Sequence, residues 1–184
     1  GKYLKEKGRL NNNAIVGTVM SNLGLRKFCE SENINFVATK VGDRYVLEEM
    51  LDKDYVIGGE QSGHVIFKEY ANTGDGELTS LMVLNILSER ECKLSELASV
   101  MDKYPQVLVN VNVTKEGKTL FGEDDEINVL IKKYEDELNG DGRILIRASG
   151  TENLIRVMIE GKNTEEISRM ANDIADLINK KFGI

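Results

Sequence analysis

Short apolar runs and helical stripes alternate along the first half of the chain. Asn13–Val19 (NAIVGTV) is a short apolar run fit for a buried strand, and Asn35–Val41 (NFVATKV) reads as a second strand. Between them Ser21 is placed to cap a helix reaching about Glu32, with Leu25, Phe28 and Cys29 on one face. From Asp43 onward Val46, Leu47, Met50 and Leu51 recur as one stripe of a 3.6-residue period. Tyr55–Gly58 and His64–Lys68 read as two more strands. Asp75 then precedes a strongly apolar helix, Leu78–Leu87, expected to be buried on most sides.

The second half has a different rhythm. Leu94–Met101 is a short amphipathic helix stopped by Tyr104-Pro105. Gln106–Thr114 (QVLVNVNVT) alternates valine with polar residues, as a half-exposed strand does. Gly117–Gly122 reads as loop. Asp125–Leu138 is a helix with Ile127, Leu130, Ile131, Tyr134 and Leu138 on one side. Arg143–Arg147 and Leu154–Glu160 are strands joined by a tight polar turn. A final helix, capped by Thr164, carries Glu165 and Glu166 in its first turn and an apolar stripe of Ile167, Met170, Ala171, Ile174 and Ile178.

These patterns predict an α/β fold in two parts. Residues 1–92 form a mixed or largely parallel α/β/α sandwich. Residues 93–184 form a smaller α+β domain with helices on one face of an antiparallel sheet. The opening Gly1–Lys7 reads as a helix already under way, so the chain is expected to be cut from something longer.

Composition narrows the partners. With 24 Lys and Arg against 31 Asp and Glu the net charge is −7, which argues against a nucleic-acid partner. No apolar run approaches the roughly 20 residues of a membrane span. Cys29 and Cys92 lie far apart, read as small buried apolar residues, and fit a reducing, cytoplasmic setting. Two cysteines and one histidine leave no zinc pattern.

Two segments carry chemistry. Arg147-Ala148-Ser149-Gly150-Thr151-Glu152-Asn153 joins two strands and combines what a phosphate needs. Arg147 supplies positive charge, Ser149 and Thr151 supply hydroxyls, and Gly150 permits close backbone approach. Arg156 on the following strand is placed to lean toward the same turn. Each charge-assisted hydrogen bond to such an anion contributes about 1.5–3 kcal/mol. An ordinary β-turn draws on the same residue types.

The second segment is Gly58-Gly59-Glu60-Gln61-Ser62-Gly63-His64, whose glycines allow a tight path while Glu60 and Ser62 offer partners for sugar hydroxyls. His64 can exchange protons near neutral pH, or it is a satisfied structural residue. Lys40 and Arg44, at a strand-to-helix turn, either face a cleft or sit in solvent. Asp75 is read as a helix N-cap, not a metal ligand, and the run 121–126 (FGEDDE) as a solvated face.

Taken together, GGEQSGH (58–64), TGDGE (73–77) and RASGTEN (147–153) resemble, in order and spacing, the sugar-binding loop, helix-opening turn and phosphate-binding loop of the α-D-phosphohexomutase family. The resemblance runs over essentially the whole chain and implies the third and fourth of that family's four domains. It implies that Glu60 and Ser62 hold sugar hydroxyls, that His64 lies near the reacting oxygen, and that Arg147, Ser149, Gly150 and Thr151 hold the non-reacting phosphate.

The resemblance also implies a phosphoserine enzyme that works through a sugar bisphosphate. Its Mg2+ loop and catalytic serine would lie in the missing N-terminal domains of the same protein. Gln61 and Glu152-Asn153 lean toward a hexosamine phosphate substrate, feeding amino-sugar and peptidoglycan precursor synthesis. A mannose or glucose phosphate member, or a non-catalytic sugar-phosphate-binding module, is the alternative. On this expectation the turn at 147–153 faces the loop at 58–64 across an interdomain groove.

Overall fold

In the computed structural model, which describes residues 1–184, the run Ala14–Thr18 becomes β1, a strand buried almost throughout. Burial on both faces suits a parallel strand covered by helices on each side. Before it lies α1 (Lys2–Glu6); after it come α2 (Leu23–Ser31), β2 (Asn35–Thr39), α3 (Asp43–Asp52), β3 (Ile57–Gly59), β4 (Val65–Phe67), α4 (Gly76–Arg90) and α5 (Leu94–Ala98). The sheet order is β2-β1-β3-β4. β1 runs parallel to β2 and β3, and β4 returns antiparallel to β3. The sheet is therefore mixed.

Alternation along β1 separates two cores. Ile15 joins Tyr3, Leu4, Leu10, Cys29 and Ile34 on one face; Val16 joins Val46, Met50 and Ile66 on the other. Gly58 lets α3 sit close, since a Cβ there would lie 2.6 Å from the Met50 sulfur and 2.7 Å from Val46 Cγ1. These elements make one unit, Gly1–Lys103.

The other unit, Tyr104–Ile184, contains β5 (Gln106–Asn112), α6 (Gly117–Leu120), α7 (Asp125–Leu138), β6 (Gly142–Ala148), β7 (Leu154–Gly161) and α8 (Thr164–Phe182). The division falls after α5, whereas the sequence patterns set it before, at 92/93. Its sheet is antiparallel in the order β5-β7-β6, with α7 against β6 and α8 against β5 and β7. Ile155, Val157 and Ile159 point into the helices and are fully buried with Ile167, Met170, Ile174 and Ile178. Each such side chain contributes about 1.5–3 kcal/mol on burial.

Other expectations need correction. Asn22, not Ser21, caps α2, accepting from Gly24 N at 2.9 Å; Ser21 Oγ instead accepts from Thr18 N at the end of β1. Asn163, not Thr164, caps α8 by accepting from the N–H groups of Glu165 and Glu166. The stripe of α3 is narrower than its apolar pattern, because Leu51 is 53% exposed.

Helix α4 is not buried on most sides: Leu81 is 63% and Leu84 59% exposed. A helix apolar all round needs partners all round, and α4 is engaged where Ile86 meets the Tyr3–Leu4 cluster. Gly117–Gly122 is not loop but α6 running into a single 3-10 turn. In the run 121–126, Asp124 caps α7 and pairs with Lys181 at 2.8 Å, so it is no free solvated charge.

Two outcomes are expected. Ile174→Ala, at a fully buried position in α8, lowers stability by about 2–5 kcal/mol in chemical denaturation, while Val129→Ala, at a site 70% exposed, changes little. The second concerns α1. Hydrogen bonds from Lys7 and then Tyr3 hold the Glu89 carboxyl well down, at about 2. A depressed carboxyl contributes stability above its unfolded value and loses it as pH falls through the folded one. Amide-exchange protection of α1 therefore falls as pH drops from 4.5 toward 2. Glu89→Gln removes that dependence and lowers protection already at neutral pH.

Candidate functional site

The parallel strands β1, β2 and β3 all end on one edge of their sheet, at Thr18, Thr39 and Gly59. Ligands gather at such carboxyl ends in α/β sheets. The Thr18–Ser21 turn is tied to β2 by Val19 N donating to Thr39 O at 2.9 Å.

After β3 the chain closes a hairpin to β4: Gly63 N donates to Glu60 O at 3.0 Å, and Glu60 N donates to His64 O at 2.9 Å. Gly63 takes φ +97°, where a side chain would be strained. The Glu60 carboxylate accepts from Gly42 N at 2.9 Å, so it is held in place by the turn that follows β2. No spacing in the sequence signals that link.

Ser62 Oγ and His64 Nδ1 lie 3.2 Å apart, both exposed. Gly74 lies against the His64 ring, 3.2 Å from Cδ2 to the position of an added Cβ. The TGDGE turn thus borders the same loop, and its Asp75 is the α4 N-cap, accepting from Leu78 N at 2.9 Å. Glu60, Ser62 and His64 are brought together. Arg44 is not among them: it pairs with Glu48 one turn along its own helix. Lys40 lies over the Tyr45 ring, 5.9 Å from its centre.

In the other unit, the face of the sheet opposite the helices carries charge. The register places Arg143 opposite Glu160, Leu145 opposite Met158, and Arg147 opposite Arg156. The Arg143–Glu160 row is an ion pair at 2.6 Å whose Glu160 is fully buried. The Arg147–Arg156 row is two like charges side by side, with Asn110 next in line on β5. Like charges directly opposite one another destabilise a sheet.

The two guanidiniums are poorly satisfied. Arg147 makes no ion pair or side-chain hydrogen bond. Arg156 Nε is buried without a partner, and Arg156 Nη2 reaches Glu152 Oε2 only at 3.4 Å.

The turn above this row is firmly anchored. Ser149 N donates to Leu154 O at 2.9 Å, Glu152 N to Ser149 Oγ at 3.3 Å, and Val113 N to Asn153 O at 3.0 Å. Lys118 Nζ, on α6, donates to Glu152 O at 2.8 Å, a clamp no motif announced. The N–H groups of Gly150 and Thr151 and the Thr151 hydroxyl have no protein acceptor. Ser149 is 3% exposed. Arg147, Arg156, Thr151 and two free N–H groups therefore lie on or beside one turn, and charges, a hydroxyl and backbone N–H groups are the kinds of donor that bind a tetrahedral oxyanion.

Comparison with known proteins agrees with the division into two units. The alpha/beta/alpha domain III of phosphoglucomutase/phosphomannomutase matches residues 1–104, and the C-terminal domain of the same family matches residues 108–177. The chain belongs to the phosphoglucomutase/phosphomannomutase family. It is 56% identical over 181 residues to the phosphoglucosamine mutase of Clostridium beijerinckii, covering 98% of this chain and 40% of that one. It is 54% identical over 180 residues to the phosphoglucosamine mutase of Clostridium tetani, with the same shares. The chain thus spans about two-fifths of these curated relatives.

In fold it is similar to N-acetylphosphoglucosamine mutase of Aspergillus fumigatus, with TM-score 0.78 and 20% identity over 97% of this chain and 40% of that one. A structure of that fungal enzyme with GlcNAc-6P and magnesium gives TM-score 0.74 at 19% identity, covering 96% and 41%. No three His, Cys, Asp or Glu side chains of this chain come together as a metal site. Its residues do not fit a magnesium centre.

Removing one member of the like-charge row relieves repulsion. In phosphate-free buffer Arg147→Gln is expected to raise stability by a few tenths to about 1 kcal/mol, read as a shift of the urea midpoint. A marked loss of stability would make Arg147 a structural residue.

Proposed function

We propose that this chain is the substrate-gripping half of a phosphoglucosamine mutase, which interconverts glucosamine-6-phosphate and glucosamine-1-phosphate. The observation that carries this is the Arg147–Arg156 row beneath a turn with free N–H groups and hydroxyls. The 54–56% identity to phosphoglucosamine mutases over nearly the whole chain supports the choice of sugar.

In this proposal Arg147, Ser149, Gly150, Thr151 and Arg156 bind the phosphate that is not reacting. Glu60 and Ser62 accept from and donate to sugar hydroxyls, and His64 moves a proton at the reacting oxygen. A phosphate seat that reads only charge and tetrahedral shape accepts the 1-phosphate or the 6-phosphate. A bisphosphate intermediate can therefore turn over without a second site.

The phosphorylated serine and the Mg2+ belong, in this proposal, to the part of the longer relatives that this chain does not span. They supply the phosphoryl group and the charge stabilisation for its transfer. The complete protein would then work in the cytoplasm, in amino-sugar supply for peptidoglycan.

Titration of glucosamine-6-phosphate into the isotopically labelled chain tests the reading. Amide shifts are expected at 147–156 and 58–64, with a Kd of about a millimolar or weaker for half a cleft. Shifts scattered elsewhere, or none, overturn it. The chain alone is expected to show no mutase turnover in a coupled assay. In the complete protein, Arg147→Ala lowers kcat/KM by the equivalent of about 2–4 kcal/mol. An unchanged kcat/KM removes Arg147 from the site. Mannose and glucose phosphates run as competing substrates decide the sugar.

A further inference from the structure

The one acidic group at the phosphate turn has a role that the phosphate-binding reading leaves unassigned. Glu152 belongs to the turn itself, and its carboxylate is 59% exposed. It touches Arg156 at a single nitrogen, Nη2, at a long 3.4 Å. The neighbouring Nε of the same guanidinium is buried with no partner. Nε and Nη2 form the edge of a guanidinium that an oxyanion grips with two parallel hydrogen bonds. Glu152 therefore sits on one corner of a bidentate edge and leaves the other corner, which is buried, without a partner.

Backbone and side chain of this residue are held very differently. The Glu152 carbonyl is pinned by Lys118 Nζ at 2.8 Å, and its N–H is engaged by Ser149 Oγ. The carboxylate has that one weak contact only. It can swing into solvent without moving the turn.

Because Arg147 and Arg156 are adjacent like charges, an empty site has a physical need for a nearby negative charge. We infer that the Glu152 carboxylate is the resident counter-ion of the anion site, a weak internal competitor that an incoming phosphate must displace from Arg156. This rests on the phosphate-binding reading of the turn. It adds that the site is tuned to release: affinity is held down by a carboxylate returning to the same edge. A dianion with several oxygens displaces a singly bonded carboxylate; a monoanionic carboxylate ligand, offering the same contact, gains little over it.

The test uses the 184-residue chain, inorganic phosphate as the probe, and amide shifts of 147–156 as the readout. Glu152→Gln keeps the size of the side chain and removes its charge. Its phosphate Kd is expected to fall by roughly two- to five-fold at low ionic strength, the span of an exposed ion pair, and the gain shrinks as sodium chloride is added. Its urea midpoint in phosphate-free buffer is expected to drop slightly, because the arginine row loses its screen.

Glu152→Asp, which shortens the arm and keeps the charge, moves the Kd in the same direction by less. A purely structural role would weaken phosphate binding in both variants. If the wild type binds phosphate and Glu152→Gln binds it no tighter, the counter-ion role is overturned and the phosphate site stands. If neither protein shows saturable shifts at the turn, the phosphate site itself falls, and the counter-ion role with it.

Discussion

Two arginines held directly opposite each other on neighbouring antiparallel strands are a cost that a three-stranded sheet does not accept without reason. The cross-strand distance is set by the backbone ladder, so the Cα atoms of Arg147 and Arg156 cannot move apart without breaking pairing that runs from Gly142 to Ala148. Four residues along the same face, the sheet shows the usual solution, Arg143 opposite Glu160. The same strands thus carry one neutralised row and one that is left positive. That contrast within a single pair of strands is stronger grounds for an anion site than a hydroxyl-rich turn alone, because turns of that composition are common.

The positive row is useful only if the turn above it is rigid, and the rest of the unit supplies the rigidity. Ile155, Val157 and Ile159 fix β7 against α8, which fixes Arg156 on the opposite face by simple alternation. Gly117 lets α6 come close to Phe182 at the end of α8, since a Cβ there would lie 2.6 Å from Phe182 Cβ. From that position Lys118 reaches the carbonyl of Glu152. The carbonyls at Glu152 and Asn153 are drawn toward Lys118 and Val113, while the N–H groups of Gly150 and Thr151 have no acceptor in the protein. The apolar core and the polar site are therefore two faces of one constraint.

Periodicity made most of this legible. The strands bearing Arg147 and Arg156, the helix stripes of α7 and α8, and the N-cap at Asp75 all follow from local pattern. What was not legible depended on pairing across the chain. That Arg147 stands opposite Arg156 needs the register of the hairpin. That Glu60 is gripped by Gly42 needs the parallel order β2-β1-β3, which no spacing encodes. Lys118 is one lysine among many until α6 is seen to fold back.

The caps went astray for a local reason: Ser21 and Asn22 are both good caps, as are Asn163 and Thr164, and one residue of phase decides between them. Helix α4 misled in another way. Its apolar content implied burial, but composition counts the surfaces a helix can bury, not those it meets in this chain, and Leu81 and Leu84 remain open.

The two candidate loops differ in how they hold their polar groups, and the difference bears on the proposed chemistry. At the phosphate turn the donors are charges and backbone N–H groups, which carry no information about the sugar attached. At the 58–64 loop the partners are a carboxylate, a hydroxyl and an imidazole, groups that distinguish one sugar hydroxyl from another. Glu60 is already oriented by Gly42 N, with a second oxygen free to accept, so little ordering remains when a hydroxyl arrives. An enzyme that must turn its intermediate end for end needs this division. Selectivity for the sugar and indifference to which phosphate is seated cannot come from the same contacts, and on the proposed function they fall to different loops.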